Sequence, residues 1–212
     1  MALFLKTFPT DITSLKAYTA TLNQTRSTVI EIDAPKIQLM FRLAITALVL
    51  IFPSQVIAAE SKPGRQVAQE LKIKVGGKET TVGYWLFLPK SYDSKKSWPL
   101  MLFLHGAGER GSNLDQVKKW GPPKRVVEEK DFPFVVISPQ CPKNKRWNPT
   151  QLHSLVEHVA ASHKIDRSRI YCTGLSMGGY GTWAMIAKYP KLFAAVAPIC
   201  GGGDPSTAKN IT

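Results

Sequence analysis

The sequence is poor in cysteine and in acidic side chains, and it has no uncharged run long enough to cross a bilayer. Its three cysteines, Cys141, Cys172 and Cys200, have no metal-ligand spacing and make no even-numbered framework. A zinc module and a disulfide-stapled miniprotein are therefore excluded. Unpaired cysteine packs as a small hydrophobe, so buried free thiols are the expectation. With Asp plus Glu at 15 against Lys plus Arg at 28, the formal net charge is +13, a field that favours acidic surfaces or anionic ligands while naming none. A basic cluster at Lys118, Lys119, Lys124, Arg125 and Lys130, with Lys143, Lys145 and Arg146 beyond it, comes without a nucleic-acid fold signature. It reads as a solvated face, and no nucleic-acid partner is expected. Internal repeats and low-complexity tracts are also lacking. What is present is 44% hydrophobic and 20% charged residues in a chain of 212, the mixture of a globular domain with one sizeable core.

The longest apolar stretch, Leu43 to Phe52, follows Met40, Phe41 and Arg42 and is closed by Pro53. Its uncharged continuation to Ala59 falls short of the about 20 residues that a spanning helix needs. A cationic start, an apolar centre and a small-residue exit at Ala58 and Ala59 match a secretory signal over residues 40–59, with cleavage expected near Glu60. The mature protein is then expected to be secreted or periplasmic, with no stable membrane span. Residues 1–39 show neither sustained periodicity nor a motif; they read as a disordered upstream extension, which makes Met40 the alternative start. Glu60-Ser61-Lys62-Pro63-Gly64-Arg65 reads as a linker, and residues 60–212 form the folded domain.

Within that domain, Leu71 to Val75 and Thr80 to Leu88 are alternating β-rich runs joined through Gly76-Gly77, which predicts a hairpin. The pattern then changes. Leu100 to Leu104, Phe134 to Ile137, Arg169 to Thr173 and Ala194 to Pro198 are short continuous apolar runs, as in strands buried on both faces. Between them, Gln151 to Ser162 places Leu152, Leu155, Val156 and Val159 on one helix face, and Tyr180 to Tyr189 reads as a helix stopped before Pro190. Alternating strands and helices predict an α/β fold: a mostly parallel sheet with helices on both faces. Ligands of such folds sit at the carboxyl ends of the strands, so the loops after Leu104, Ile137, Thr173 and Pro198 are where chemistry is expected.

After Thr173 comes Gly174-Leu175-Ser176-Met177-Gly178-Gly179. Strand, sharp turn and helix project a serine hydroxyl above the sheet edge while leaving the next amide free to bind charge, so Ser176 is the candidate nucleophile. Gly174 and Gly178 keep side chains from colliding across the turn, and the helix amino terminus favours a developing anion. The first buried strand runs into His105-Gly106-Ala107-Gly108-Glu109-Arg110-Gly111. Acyl transfer needs two fixed N–H donors aimed at a tetrahedral oxyanion, and these are assigned to Ala107 and Met177. His105, Gly106 and Gly108 are read as shaping the loop, with Glu109 and Arg110 buttressing it by pairing. Phosphate binding is disfavoured because the Walker Lys-Ser/Thr is missing and the G-x-G-x-x-G spacing of Gly106, Gly108 and Gly111 has no helix following it. Among the tryptophans, Trp120 and Trp147 are candidates to wall a pocket, while Trp183 reads as core packing.

The paired motifs, FLHGAGERG from Phe103 to Gly111 and GLSMGGYGTW from Gly174 to Trp183, resemble the α/β-hydrolase superfamily. Within it, the likeness is to the secreted bacterial esterase and predicted-peptidase branch, with polyhydroxybutyrate depolymerase, feruloyl esterase and phospholipase/carboxylesterase relatives. The resemblance runs from about Leu71 to Asp204, through CPKNKRWNP at Cys141 to Pro149 and APICGGGDP at Ala197 to Pro205. It implies hydrolysis of a small-molecule or polysaccharide-linked carboxylic ester through an acyl-enzyme on Ser176, with no cofactor and no metal. A serine peptidase of the same fold and an inactive hydrolase-like binding module are the alternatives.

The family's order is serine, acid, histidine, and the sequence departs from it. His105, His153, His158 and His163 all precede Ser176, and Asp204 is the single carboxylate after it. The family acid comes a strand later than Asp204, which is therefore not assigned a catalytic role. The expectation is an α/β-hydrolase fold truncated at its carboxyl end, with triad acid and histidine missing and activity weak or lost. Phe193 to Ile199 should then be an exposed apolar edge.

Overall fold

In the computed structural model, residues 62–211 are described; the secretory signal and upstream extension expected over residues 1–59 lie outside them. Six strands form one mixed sheet in the spatial order β1-β2-β4-β3-β5-β6. β1 (Arg65–Val75) and β2 (Lys78–Leu88) pair antiparallel from Arg65 opposite Leu88 to Val75 opposite Lys78. Only Gly76 and Gly77 remain for the turn, at φ 57° and 79°. A two-residue hairpin loop of this kind needs positive φ at both positions, which glycine adopts without steric cost.

β2 pairs antiparallel with β4 (Val135–Pro139), and from there the sheet is parallel: β4 with β3 (Trp98–Leu104), β3 with β5 (Ile165–Leu175), and β5 with β6 (Ala195–Ile199). The expected mostly parallel architecture is thus present, with an antiparallel opening. The four short apolar runs expected as buried strands fall in β3 to β6, with Phe134 and Ala194 one residue outside them, and β5 extends to both sides of its run.

Helices cover both faces. α1 (Gly121–Glu128) contributes Val126 to a small cluster with Phe87 and Val136, against which Met101, Phe132 and Phe134 pack. α2 (Pro149–Ser162) and α3 (Met177–Lys188) cover the other face, where Leu152, Leu155, Val156, Val159 and Met185 pack on Leu86, Leu100, Leu102, Leu104, Ile137 and Ile170. The strand residues alternate between the faces: Leu86 and Leu88 belong to the large cluster and Phe87 to the small one. Burial of each large aliphatic side chain in such a layer contributes roughly 1.5–3 kcal/mol.

α2 begins earlier than its apolar periodicity suggests, because Asn148 caps it. The Asn148 carboxamide accepts from Thr150 N at 2.9 Å and Gln151 N at 3.4 Å, and Pro149 starts the first turn. α1 and the short 3-10 turns around it carry too few apolar positions to be seen as periodic.

β6 is the sheet's edge among the described residues, with Ala195, Ala197 and Ile199 exposed. Phe193 is a correction to the expected edge: it turns into the large core. The thiols also divide, since Cys141 and Cys172 are buried while Cys200 is exposed. Burial pushes Cys141 up to about 11 and Cys172 up to about 12, so neither is a thiolate near neutrality. No helix among the described residues is long and apolar enough to cross a membrane.

Candidate active site

The chain runs from β3 to β4 on one side of the sheet and then crosses back to β5 on the other. The loop after β3 leads toward α1 on one face, and β5 leads directly into α3 on the opposite face. A crevice opens where strand order reverses in this way. Leu104 and Gly174 are register partners at its lip, so the loops after these two strands leave side by side.

Ser176 is the junction between β5 and α3, at φ 54° and ψ −112°. A non-glycine residue held there stores about 1–3 kcal/mol of backbone strain. Neighbours hold it on both sides: its N–H donates to Ile199 O at 2.9 Å, and its carbonyl accepts from Tyr180 N at 3.1 Å. A serine before a helix ordinarily spends its hydroxyl on a free N–H of the first turn. Ser176 makes no such side-chain cap. Its side chain is exposed, with no hydrogen bond to any described residue.

The glycines around it are required by contact. A Cβ on Gly178 would stand 1.8 Å from Leu104 O, and one on Gly174 would stand 2.3 Å from Gly178 O. Gly179 is equally confined, 2.5 Å from Ile199 O by the same measure. The helix start is therefore pressed onto the backbone of β3 and β6. Gly108 differs: a Cβ there would meet nothing within 4 Å, so packing does not demand glycine at that point of the loop.

The loop after β3 is held by polar contacts. His105, 2% exposed, is bonded at both ring nitrogens: Nε2 accepts from Cys141 N at 3.0 Å and Nδ1 lies 2.7 Å from Gly106 O. An amide donor at Nε2 fixes the tautomer, so Nδ1 carries the proton and donates to Gly106 O. Burial pushes the imidazole below its ordinary value, which keeps it neutral. Trp147 packs edge-on to this ring and donates Nε1–H to His105 O at 3.2 Å.

Arg110 does not pair with Glu109, contrary to expectation. It donates from Nε to Ala107 O at 3.0 Å and from Nη1 to Lys145 O at 3.3 Å. The Glu109 carbonyl accepts instead from Gln140 Nε2 at 2.7 Å.

Ala107 and Met177 are each the first residue of a helix, a short 3-10 turn (Ala107–Glu109) in one case and α3 in the other. Their N–H groups have no intrahelical acceptor. Both residues border one cavity of about 650 Å³ with Ser176, Arg110, Arg146, Trp147, Tyr180, Gly181 and Ala184. A nucleophilic hydroxyl and two unspent amides thus share a pocket of the size that holds small ligands. Sequence reading missed Tyr180 and the presence of Arg110 and Arg146 in one lining; an aromatic four residues after the serine, in the first turn of α3, was the available signal for Tyr180.

The remaining candidates lie elsewhere. His153 stacks on Tyr189, His158 is exposed on α2, and His163 caps α2 with Nδ1 3.0 Å from Ser162 Oγ. Asp204 accepts from Ser206 N at 2.9 Å as the cap of a terminal 3-10 turn, and those bonds hold its carboxyl below the usual range. Trp120 is solvent-exposed away from the cavity lining. Trp183 is half-buried and donates to Gly201 O at 3.2 Å. Among the described residues no cluster of His, Cys, Asp or Glu is suited to a metal ion.

Known proteins share this arrangement in part. Residues 142–211 match the prolyl oligopeptidase family. Over 51 residues, 24% of this chain and 12% of the relative, the sequence is 49% identical to poly(3-hydroxyalkanoate) depolymerase C of Paucimonas lemoignei. Over 135 residues, 57% of this chain and 42% of the relative, it is 27% identical to acetylxylan esterase A of Emericella nidulans. A thermostable esterase of known crystal structure superposes with a TM-score of 0.55 at 36% identity, covering 68% of this chain and 44% of that one. The chain thus spans less than half the length of each of these three proteins.

Two predictions follow from the packing. Gly178→Ala is expected to destabilise the domain by about 3 kcal/mol, whereas Gly108→Ala should change stability by less than about 0.5 kcal/mol; urea unfolding of the two variants makes the comparison. His105 is expected to show a protonated Nδ1 and a bare Nε2 in nitrogen NMR at neutral pH. Because the fold holds the neutral ring, the stability it contributes is full above the unfolded-chain value near 6.5 and is lost as pH falls below it. His163, lowered by burial too, acts in the same direction.

Proposed function

This chain belongs to the α/β-hydrolase superfamily, and on that footing we propose that it is a serine hydrolase of carboxylic esters acting through an acyl-enzyme on Ser176. The observation that carries the reading is the exposed, uncapped Ser176 hydroxyl sharing a cavity with the free amides of Ala107 and Met177. Ser176 Oγ attacks the ester carbonyl as its proton passes to solvent water, from which the departing alkoxide later takes one, and the carbonyl oxygen becomes an oxyanion between the two N–H groups. Losing one such donor costs roughly 3–4 kcal/mol in comparable sites. Collapse of the tetrahedral species expels the alcohol and leaves the acyl group on Oγ, and water then releases it as the acid.

No imidazole or carboxylate of the described residues is hydrogen-bonded to Ser176. His105 cannot serve, since both of its nitrogens are committed. With nucleophile and oxyanion site but no base, the described residues support acylation at the level that oxyanion binding alone provides, roughly 10³–10⁴ over water.

Small-molecule and polysaccharide-linked esters are the substrate range we propose, supported by the depolymerase and acetylxylan esterase likenesses. A peptidase acting through the same serine is the second reading, favoured by the match of residues 142–211 to the prolyl oligopeptidase family. We further propose export, supported by the signal-like residues 40–59.

A fluorophosphonate probe is expected to label Ser176, and 4-nitrophenyl acetate to give a burst of about one equivalent followed by slow turnover that added imidazole accelerates. Ser176→Ala should abolish labelling and burst; labelling that survives the substitution overturns the assignment. Peptide amides should give no burst unless the peptidase reading holds. Amino-terminal sequencing of the exported protein is expected to begin near Glu60, and a chain that retains Ala2 in a membrane fraction refutes cleavage.

A further inference from the structure

We propose that Arg110 and Arg146 form an anion subsite in the cavity beside Ser176, and that the ester bound there carries a free carboxylate. This inference rests on the esterase reading and names its substrate class.

Two guanidinium groups line the cavity that Ser176 opens into, and no acidic side chain lines it. Five basic side chains elsewhere are ion-paired, Lys118 with Asp115, Arg125 with Glu129, Lys164 with Asp93, Arg167 with Glu157 and Arg169 with Asp166. Arg146 has no ion pair and no hydrogen bond among the described residues. Glu109, within the oxyanion loop, turns its Oε2 toward Gly106 and is not part of the lining. Neither cavity arginine is ion-paired with a carboxylate among the described residues.

Arg110 is also held in place before any ligand arrives. Its bonds to Ala107 O and Lys145 O tie the oxyanion loop to the segment that carries Arg146. A guanidinium fixed by two of its five donors keeps the rest for a planar anion, and carboxylate is the group its fork geometry matches. Trp147 completes the subsite. Its indole N–H is spent on His105 O, so the ring stands as a fixed apolar wall of the cavity that the arginines and Ser176 share. Cation pair, apolar wall and nucleophile are what an ester of mixed character requires: an anionic end, a hydrocarbon spacer and a carbonyl. The net charge of +13 supplies a field of the same sign, which steers such a substrate toward the chain.

The test uses matched esters that differ only in charge. 4-Nitrophenyl hydrogen glutarate is paired with its methyl ester, and 4-acetoxybenzoate with methyl 4-acetoxybenzoate, so that the carboxylate sits on the acyl side in one pair and on the leaving group in the other. Burst acylation of Ser176 in the full chain is expected to be about tenfold more efficient for the charged member of at least one pair. Raising the salt should shrink that ratio. Arg146→Gln should bring it to about one, and Arg146→Lys should restore part of it. Because Arg146 is exposed, these variants are expected to fold.

Binding of monomethyl glutarate to Ser176→Ala, by calorimetry, gives a readout independent of turnover, and it should weaken about tenfold when Arg146→Gln is added. Normal labelling of Ser176 with charged and neutral esters reacting and binding alike overturns the subsite and leaves the esterase reading intact. Arg146-dependent glutarate binding with no labelling of Ser176 does the reverse.

Discussion

The approach of α3 to the end of β3 is the constraint on which the site depends. Gly178 lies so close to Leu104 O that not even a methyl group fits between them. That contact sets the height of the helix start over the sheet, and with it the position of Ser176. The serine's positive φ follows from the same geometry, because a chain leaving β5 must reverse within one residue to enter a helix already pressed against the neighbouring strand. Strain of this kind persists only where surrounding structure over-determines it. Here the determinants are the Ile199 and Tyr180 hydrogen bonds together with the glycine contacts.

The facing loop is organised by different physics. No backbone clash fixes Ala107; a buried neutral imidazole does. His105 joins Gly106 to Cys141, which lies 36 positions away in sequence, and Trp147 closes over the ring. Arg110 adds a tie to Lys145. The loop after β3 and the segment after β4 therefore form one polar unit, so the walls of the cavity and the Ala107 amide are positioned together. That coupling explains why a histidine at this place contributes shape, since a base needs a free lone pair and His105 has none to offer.

Much of the fold was legible in the sequence because the first two strands alternate, the inner ones carry short continuous apolar runs, and the Gly76-Gly77 turn admits one hairpin register. The turn at Ser176 was legible for a related reason: glycines at fixed offsets from a serine, between a strand and a helix, are otherwise costly. The rest depends on contacts distant in sequence. α1 has only Pro123 and Val126 buried, too few to make a period. Arg110 and Glu109 are neighbours with opposite charges, which suggests a pair, yet the loop aims the guanidinium at carbonyls. Phe193 reads as part of a strand but turns into the core before β6 begins. Asp204 is left without a role by its place in the sequence, and the structure makes it a cap that accepts from Ser206 N, a local bond that its two-residue spacing permits.

The two halves of the site differ in what can disturb them. The elbow is held by close packing of main chain on main chain, which neither pH nor salt alters and which one added carbon disrupts. The opposite loop is held by an imidazole that must stay neutral, so protonation breaks the bond to Cys141 N and leaves the amide donor facing a second donor. Acid should therefore loosen the Ala107 side of the cavity before it reaches Ser176. On the proposed reading, Ser176 stays presented while the Ala107 amide opposite is lost, and esterase activity should fall with acidification ahead of global unfolding.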